Sequence, residues 1–259
     1  MSLTPAQVGL KTNEVDDKAT IIKNLQIIYK DLQVGNWPFL ELFYQCVTQS
    51  GTKIPAWKLL RRAQRALVLS QYFNHSLDLN GGHVECGVLR GFSALLLANI
   101  QKMRDPGYLG ENLYLVDSFE GLSQPTQQDK IVINPELLEE NVSVFEYQKG
   151  HFAVDIEHVK KVMQPFANTT ILKGWIPDVF VDLPEKEWAF VHIDVDLYEP
   201  TYSCMEYFVP RLVKGGCIIN DDFSSPGFPG GGLSWQDYCK KHDLKYIALD
   251  SGQAVFIRQ

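Results

Sequence analysis

The chain has 259 residues, of which 45% are hydrophobic and 21% are charged, a composition typical of one globular core with added structure at a terminus. Its net charge of -7 argues against nucleic acid or an anionic membrane as the main partner, because both favour a basic surface. Five cysteines without a C-x-x-C spacing indicate neither a disulfide framework nor a zinc site. The sequence shows no signal peptide and no run of about 20 apolar residues, so we expect a cytoplasmic protein that binds neither membrane nor nucleic acid.

The first 80 residues predict helices and no strands. Residues 1–18 are polar and aperiodic, which indicates a loose arm, and apolar residues at helical spacing predict helices over 19–32, 37–47 and 55–73. In the third helix, Arg61, Arg62 and Arg65 fall mostly away from the apolar face, and we interpret them as a solvent-exposed surface. We expect residues 1–80 to form a helical arm or lid that packs on the rest of the chain.

Residues 81–259 predict a single α/β domain, because short apolar runs alternate with helical patterns. Parallel strands are predicted at 83–88, Leu113–Asp117, 169–173, 188–196 and 216–221, and helices at 92–103, 152–166 and 198–212. This alternation is typical of a doubly wound sheet with helices on both faces. Two further runs at 245–249 and 254–258, joined by a tight turn, predict a final antiparallel hairpin.

Two loops in the first half of this domain are candidates for binding a nucleoside. The first contains Glu85, Gly87 and Gly91, spaced E-x-G-x-x-x-G between a strand and a helix, where glycine lets the backbone approach a ligand closely. The second begins at Asp117, which is placed to accept both hydroxyls of a ribose. An acidic loop that repels phosphate fits S-adenosylmethionine better than a nicotinamide cofactor. The alternative for the first loop is a plain strand–turn–helix connection, and the alternative for Asp117 is a helix cap or turn.

Two pairs of carboxylates end consecutive predicted strands. Asp194 and Asp196 lie two residues apart, which in a strand places them on the same face, and Asp221 with Asp222 ends the next strand. Clustered carboxylates need a cation or protons to compensate their charge. Oxygen ligands without cysteine or paired histidine favour a hard cation, which is Mg²⁺ or alternatively Ca²⁺ or Mn²⁺. The alternative is that these aspartates are solvated strand ends and helix caps.

The segment that follows the second carboxylate pair is rich in glycine and proline. Residues 224–232 contain four glycines and two prolines, which we interpret as a mobile loop over the substrate. His192 lies inside an apolar strand and is interpreted as a hydrogen-bonded core histidine rather than as a catalytic base.

Five motifs of the α/β domain occur in the order typical of one enzyme family. They are VECGVLRG at 84–91, VDSFEGL at 116–122, KGWIPD at 173–178, VHIDVDLYEPT at 191–201 and GGCIINDDF at 215–223. Over residues 81–232 the chain resembles the macrocin O-methyltransferase family, S-adenosylmethionine-dependent enzymes that methylate sugar hydroxyls of antibiotics. The glycine-rich region 228–235 departs from the family pattern, which leaves the acceptor open.

The resemblance implies a class I S-adenosylmethionine methyltransferase fold, Rossmann-like, with a seven-stranded and mostly parallel sheet. It further implies Mg²⁺ on Asp194, Asp221 and Asp222, with Asp196 as the general base that deprotonates the acceptor hydroxyl. It also implies a glycosylated natural product as acceptor and a homodimer or larger homo-oligomer. The residues that it implies for the cofactor site are Glu85, Gly87, Arg90, Ser93, Asp117, Ser118, Gly174, Trp175 and Asp194.

Three other functions are compatible with parts of this pattern. The D-x-D at 194–196 is also typical of glycosyltransferases that hold a metal and a nucleotide sugar. The second carboxylate pair and the E-x-G-x-x-x-G loop argue against that function. A non-catalytic binding protein would have no use for four acidic residues at the strand ends. A NAD-dependent dehydrogenase is disfavoured because the first loop lacks the G-x-G-x-x-G spacing.

Overall fold

A computed structural model describes residues 18–29, 31–34, 37–130 and 147–259. Its centre is a seven-stranded sheet in the order β3-β2-β1-β4-β5-β7-β6, in which β1 to β5 are parallel and β7 runs antiparallel to β5. The strands are β1 (Gly82–Cys86), β2 (Leu113–Asp117), β3 (Thr170–Lys173), β4 (Trp188–Ile193), β5 (Leu212–Asn220), β6 (Ile247–Ala248) and β7 (Ala254–Ile257). The α/β fold and the final hairpin are therefore confirmed.

The order of the strands reverses between β1 and β4, and their carboxyl ends are level there. Cys86 in β1 pairs with Val116 in β2 and with Ile193 in β4. Ile193 in turn pairs with Asn220 in β5. Loops that leave such an edge diverge to opposite faces of the sheet and open a crevice. The residues that begin these loops are Gly87, Asp117, Asp194 and Asp221.

Seven α-helices surround the sheet in the described part of the chain. They are α1 (Lys18–Tyr29), α2 (Phe39–Ser50), α3 (Ala56–Ser76), α4 (Phe92–Arg104), α5 (Ile156–Val162), α6 (Tyr198–Phe208) and α7 (Pro229–Lys241). No described helix, including α3 with its 21 residues, has the apolar run that a bilayer span requires.

The three N-terminal helices share a hydrophobic core with the sheet. One cluster of buried side chains includes Leu25, Phe43 and Phe73 from these helices together with Leu95 of α4 and Phe190 of β4. The opposite face of the sheet has a second cluster around Trp188, Phe208 and Trp235. Packing of α1 to α3 against the sheet is therefore extensive, while a boundary at residue 80 stays a prediction. Apart from Lys18, the predicted arm at 1–18 lies outside the described residues.

Four predictions differ from the structure. Residues 1–80 were predicted to contain no strands, but Gln33–Val34 and Trp37–Pro38 form a short antiparallel pair. Strand β4 ends at Ile193, so Asp194 and Asp196 lie in a turn and not on one face of a strand. The helix predicted at 152–166 is shortened to α5, which begins after the N-cap Asp155. The interpretation of residues 224–232 as a mobile loop is wrong for its second half, because Pro229 begins the helix α7.

Candidate active site

A cavity of about 530 Å³ opens at the edge where the strand order reverses. The loops after β1, β2 and β3 form one side of it, and the turns after β4 and β5 form another. Helix α3 covers it with a row of basic side chains. The sequence-predicted residues that line this cavity are Gly87, Asp117, Ser118, Gly174, Trp175, Asp194, Asp196 and Asp222.

The loop after β1 requires glycine at its first position. Gly87 has a φ of +86°, and a Cβ built on it would lie 1.9 Å from the carbonyl oxygen of Asp194. Asp117 closes the same loop, since one of its carboxylate oxygens accepts from the backbone N–H groups of Val88 at 2.7 Å and Leu89 at 3.1 Å. Its other oxygen accepts from Phe119 N at 2.7 Å. Because a carboxylate has about four lone-pair sites, Asp117 keeps capacity to accept from a ligand.

Three residues predicted for the cofactor do not line the cavity: Glu85, Arg90 and Ser93. The side chain of Glu85 is completely buried within the sheet, and its Oε1 lies 2.8 Å from His192 Nδ1. Burial raises the pKa of Glu85, and His192 together with Ser93 on α4 lowers it in part. Glu85 therefore lies beneath the cavity and contacts His192, and it does not reach the cavity itself.

Three carboxylates converge at the floor of the cavity. Asp194, Asp196 and Asp222 each place one oxygen within 4.8 Å of an oxygen of the other two. Asp196 adopts a left-handed φ of +62°, which is unfavourable for a non-glycine residue, and Asp222 Oδ2 accepts from its backbone N–H at 3.0 Å. Burial and the Asp194 charge raise the pKa of Asp222 to about 8. Burial and neighbouring carboxylates also raise the pKa of Asp194 and of Asp196.

Asp221 does not line the cavity, although one of its carboxylate oxygens lies within 4.8 Å of an oxygen of Asp194. Its side chain pairs with the Arg65 guanidinium and accepts from Gln253 Nε2 at 2.6 Å. Burial raises the pKa of Asp221, but the charges of Arg65 and His192 lower it by more, so its pKa lies below the usual range. The interpretation of Arg65 as solvent-exposed is therefore wrong, because its guanidinium reaches the end of β5.

His192 connects Glu85 to Asp221 beneath the cavity. Its Nδ1 contacts Glu85, and its Nε2 lies 3.7 Å from Asp221 Oδ1, which is an electrostatic contact too long for a hydrogen bond. Burial lowers the pKa of His192, but the two carboxylates outweigh it and raise the pKa to about 10. His192 thus lies in the core between Glu85 and Asp221, with one ring nitrogen facing each carboxylate.

The basic side chains of α3 face the cavity. Lys58, Arg61 and Arg62 line it together with Arg65. Their spacing of i, i+3, i+4 and i+7 places them on one helix face. A neighbouring face of α3 carries the buried Leu59 and packs on the core. The polar face that we predicted to meet solvent therefore borders the site.

Aromatic side chains form the wall of the cavity opposite the sheet edge. Tyr147 and Phe228 stack with ring centroids 4.2 Å apart at 29°, and Phe152 packs against both at 5.5 and 6.1 Å. All three rings line the cavity, as do Trp175 and Pro226. This wall offers an apolar surface for a ring of the ligand.

Consecutive glycines let helix α7 approach the carboxylates. A Cβ on Gly231 would lie 2.9 Å from the Cβ of Asp222 and 3.1 Å from the carbonyl oxygen of Asp196. The carbonyl oxygen of Gly231 accepts from Asn220 Nδ2 at 2.9 Å, and Asn220 Oδ1 accepts from Asp222 N at 2.8 Å. Close packing, and not mobility, is therefore the reason for glycine at 231.

Several residues of the site were missed from the sequence. The spacing of basic residues on α3 was a usable signal, because four cations on one face of a partly buried helix are rarely all solvated. No local sequence pattern indicates that Gln253, Asn220 or the aromatic side chains belong to the site, because their partners are distant in sequence. These residues are identified only from the packing of β5 against β7 and α7.

The chain is similar in sequence to named methyltransferases. A 4'-O-methyltransferase of 8-demethyl-8-(2,3-dimethoxy-alpha-L-rhamnosyl)-tetracenomycin C from Streptomyces olivaceus is 30% identical over 148 residues, which are 56% of this chain and 53% of the relative. The mycinamicin III 3''-O-methyltransferase of Micromonospora griseorubida is 27% identical over 154 residues, 56% of each chain. The chain thus spans about half the length of the curated relatives that it matches.

Solved structures share the fold. The O-methyltransferase NovP superimposes with a TM-score of 0.66 at 20% identity, over 85% of this chain and 98% of NovP. The calicheamicin methyltransferase CalS11 gives a TM-score of 0.61 at 19% identity, over 84% and 91% of the two chains. The profile of the macrocin-O-methyltransferase (TylF) family matches residues 68–258. Because that match covers most of the chain and both strand-end carboxylate pairs, the protein belongs to the macrocin-O-methyltransferase family.

Proposed function

We propose that the protein transfers the methyl group of S-adenosylmethionine to a sugar hydroxyl of a small-molecule acceptor, with the help of a divalent cation. The observation that carries the proposal is one cavity that joins the loops of Gly87 and Asp117 to the carboxylates Asp194, Asp196 and Asp222. Such a cavity brings a nucleoside site and an acidic site within reach of one another. The family and its named relatives support methyl transfer as the reaction.

The cofactor would occupy the half of the cavity that is lined by the loops after β1, β2 and β3. Gly87 permits close approach of the ligand to the backbone, and Asp117 has a lone pair left for a ribose hydroxyl. Ser118, Gly174 and Trp175 line the same half. Glu85 lies beneath the cavity, so we assign it a positioning role through His192 and not direct contact.

The three converging carboxylates fit a hard divalent cation such as Mg²⁺. Their donor atoms are all oxygens, as Mg²⁺ prefers, and burial together with the charges of neighbouring carboxylates raises their pKa values, although Arg65 lowers them in part. Asp194 and Asp222 would hold the ion, with Asp221 behind them bound to Arg65. When bound, the ion would supply Lewis acidity that lowers the pKa of a nearby hydroxyl.

Asp196 is the residue that we assign as general base. It lines the cavity in a left-handed conformation that nearby contacts hold in place, including the hydrogen bond from its N–H to Asp222. From this position its carboxylate can take the acceptor's hydroxyl proton while the oxygen attacks the methyl group on sulfur in line. Alignment of the two reactants in one cavity would contribute a large part of the acceleration.

The acceptor class rests on the relatives and on the cavity wall. Those relatives are named for rhamnosyl-tetracenomycin and mycinamicin substrates, and CalS11 is named as a TDP-rhamnose 3'-O-methyltransferase. The aromatic wall of Tyr147, Phe152 and Phe228 suits an apolar ring next to a sugar. We also propose that helices α1 to α3 act as the lid of the site and that the protein forms a homodimer or larger homo-oligomer.

Substitution of Asp196 by asparagine tests this function. We expect Asp196→Asn to bind S-adenosylhomocysteine as the unsubstituted protein does and to lose methyl transfer by about 10²–10⁴-fold, the usual contribution of a general base. Mass spectrometry of an acceptor library first identifies the substrate by a gain of one methyl group, and calorimetry measures cofactor binding.

Asp105→Asn is the control, since Asp105 accepts from Gly107 N in a remote loop. Near-normal turnover of Asp196→Asn would remove that residue from the base role. Activity that a metal chelator leaves unchanged would contradict the cation. Thermal stabilisation by a nucleoside diphosphate but not by S-adenosylhomocysteine would favour a glycosyltransferase instead.

A further inference from the structure

The guanidinium of Arg65 lies against the carboxylates that we assign to the divalent cation. Its Nη2 forms an ion pair with Asp221 and lies 3.7 Å from Asp222 Oδ1. The same nitrogen donates to the backbone carbonyl of Asp221. Asp222 is one of the three carboxylates at the floor of the cavity, so a positive group of the protein itself is placed next to the proposed cation site.

The charge of Arg65 acts on the whole acidic group. Asp221, its partner in the ion pair, has a carboxylate oxygen within 4.8 Å of an oxygen of Asp194. Burial and neighbouring carboxylates raise the pKa values of the three carboxylates at the floor of the cavity, and the charge of Arg65 lowers all three in part. Arg65 therefore compensates part of the repulsion that a bound cation would compensate.

Tertiary contacts hold Arg65 at this position. Its side chain is only 16% exposed, so water screens its charge little. Gln253, which is completely buried, donates through Nε2 to the backbone carbonyl of Arg65 at 3.4 Å and to Asp221 at 2.6 Å. Like charges about 4 Å apart in such a shielded place repel each other strongly. Full pairing of Arg65 and full binding of a divalent cation at the same carboxylates are therefore opposed.

We propose that Arg65 competes with the divalent cation for the carboxylates that follow β4 and β5, and that it thereby sets the affinity of the cation site. This inference rests on the proposed function and concerns only its cation. When no cation is bound, Arg65 neutralises part of the acidic group, and when a cation is bound, the ion pair of Arg65 is weakened. Coupling of this kind is reciprocal: Arg65 weakens cation binding by the same factor by which the cation weakens the attachment of α3 through Arg65.

Titration of Arg65 variants with Mn²⁺ tests the proposal. The full chain is titrated by calorimetry with and without saturating S-adenosylhomocysteine, at pH 8.5 so that fewer protons compete for the carboxylates. We expect Arg65→Gln to bind Mn²⁺ about tenfold or more tightly than the unsubstituted protein does. Arg65→Lys keeps the positive charge and should stay within about threefold of the unsubstituted protein. Arg62→Gln removes a charge with a smaller effect on Asp194, so it should change the affinity less.

Urea denaturation with and without excess Mn²⁺ measures the same coupling independently. If Arg65→Gln binds Mn²⁺ tenfold more tightly, the same excess of Mn²⁺ should stabilise it by about 1.4 kcal/mol more than the unsubstituted protein. If Arg65→Gln does not fold, hydrogen exchange of the unsubstituted protein decides instead. Saturating Mg²⁺ should then accelerate exchange of the α3 amides near Arg65 relative to the amides of β5, and the absence of this acceleration would overturn the proposal.

The control is Arg104→Gln, which removes a guanidinium that pairs with Asp78 outside the cavity and should leave Mn²⁺ affinity unchanged. Unchanged or weaker Mn²⁺ binding by Arg65→Gln overturns the proposal while the cation of the proposed function stands. An equal gain of affinity in Arg65→Lys also overturns it, because the effect would then come from packing and not from charge. If neither the unsubstituted protein nor Arg65→Gln binds Mn²⁺ or Mg²⁺, the cation of the proposed function is refuted together with its competition with Arg65.

Discussion

The ion pair between α3 and the end of β5 leads to a quantitative stability prediction. The side chains of Arg65 and Asp221 are exposed by only 16% and 5%, so the pair is shielded from water. Loss of one partner of such a pair costs about 3–5 kcal/mol, because the other charge stays buried. Gln253 still donates to Asp221 at 2.6 Å, and His192 still faces it. We therefore expect Arg65→Gln to lower the free energy of unfolding by about 3 kcal/mol, at the lower end of that range.

Urea denaturation followed by circular dichroism at pH 7, without added divalent cation, measures this change. Arg104→Gln is the matched control, since Arg104 and Asp78 pair with side chains exposed by 41% and 67%. Exposed pairs contribute about 0–1 kcal/mol. A cost for Arg65→Gln no larger than that of the control would refute the assignment of a buried pair. Asp221→Asn in the Arg65→Gln background should recover part of the loss, because it removes the unpaired charge.

Two further predictions concern the core and the packing of α7. Burial, with a smaller effect of Lys186, lowers the pKa of His83 from 6.5 to about 4. The unfolded chain therefore binds a proton at His83 before the folded protein does, and the free energy of unfolding decreases as the pH falls from 6.5 towards 4. His83→Phe should therefore remove about 2 kcal/mol of the decrease in unfolding free energy between pH 7 and pH 5, and an unchanged decrease would contradict this. Gly231→Ala should destabilise the protein by about 1–3 kcal/mol despite the helix preference for alanine, since its Cβ would meet Asp222 at 2.9 Å. Gly227→Ala, whose Cβ would lie 3.5 Å from Tyr147, is the control in the same denaturation assay, and equal costs would refute the packing argument.

Local patterns predicted the elements of the α/β domain because each depends on short-range periodicity. The apolar run of β4 and the turn that joins β6 to β7 are visible without any knowledge of partners. The convergence of Asp194 with Asp222 was also predictable, because the carboxyl ends of adjacent parallel strands meet at one edge. The reason first given for Asp194 and Asp196 was wrong, since a turn with a left-handed Asp196, and not strand alternation, brings them together.

The sequence by itself determined the fold class, the edge at which ligands bind and the acidic character of that edge, because these follow from periodicity and from the residues at strand ends. Tertiary structure decided the partners of each carboxylate, since Asp221 pairs with Arg65 of α3 and accepts from Gln253 near β7, while Asp222 lines the cavity. It likewise decided that the basic face of α3 borders the site and that Gly231 packs against Asp222. The periodicity of a helix indicates which residues share a face. Which element packs against that face depends on residues distant in sequence, so no local pattern predicts it.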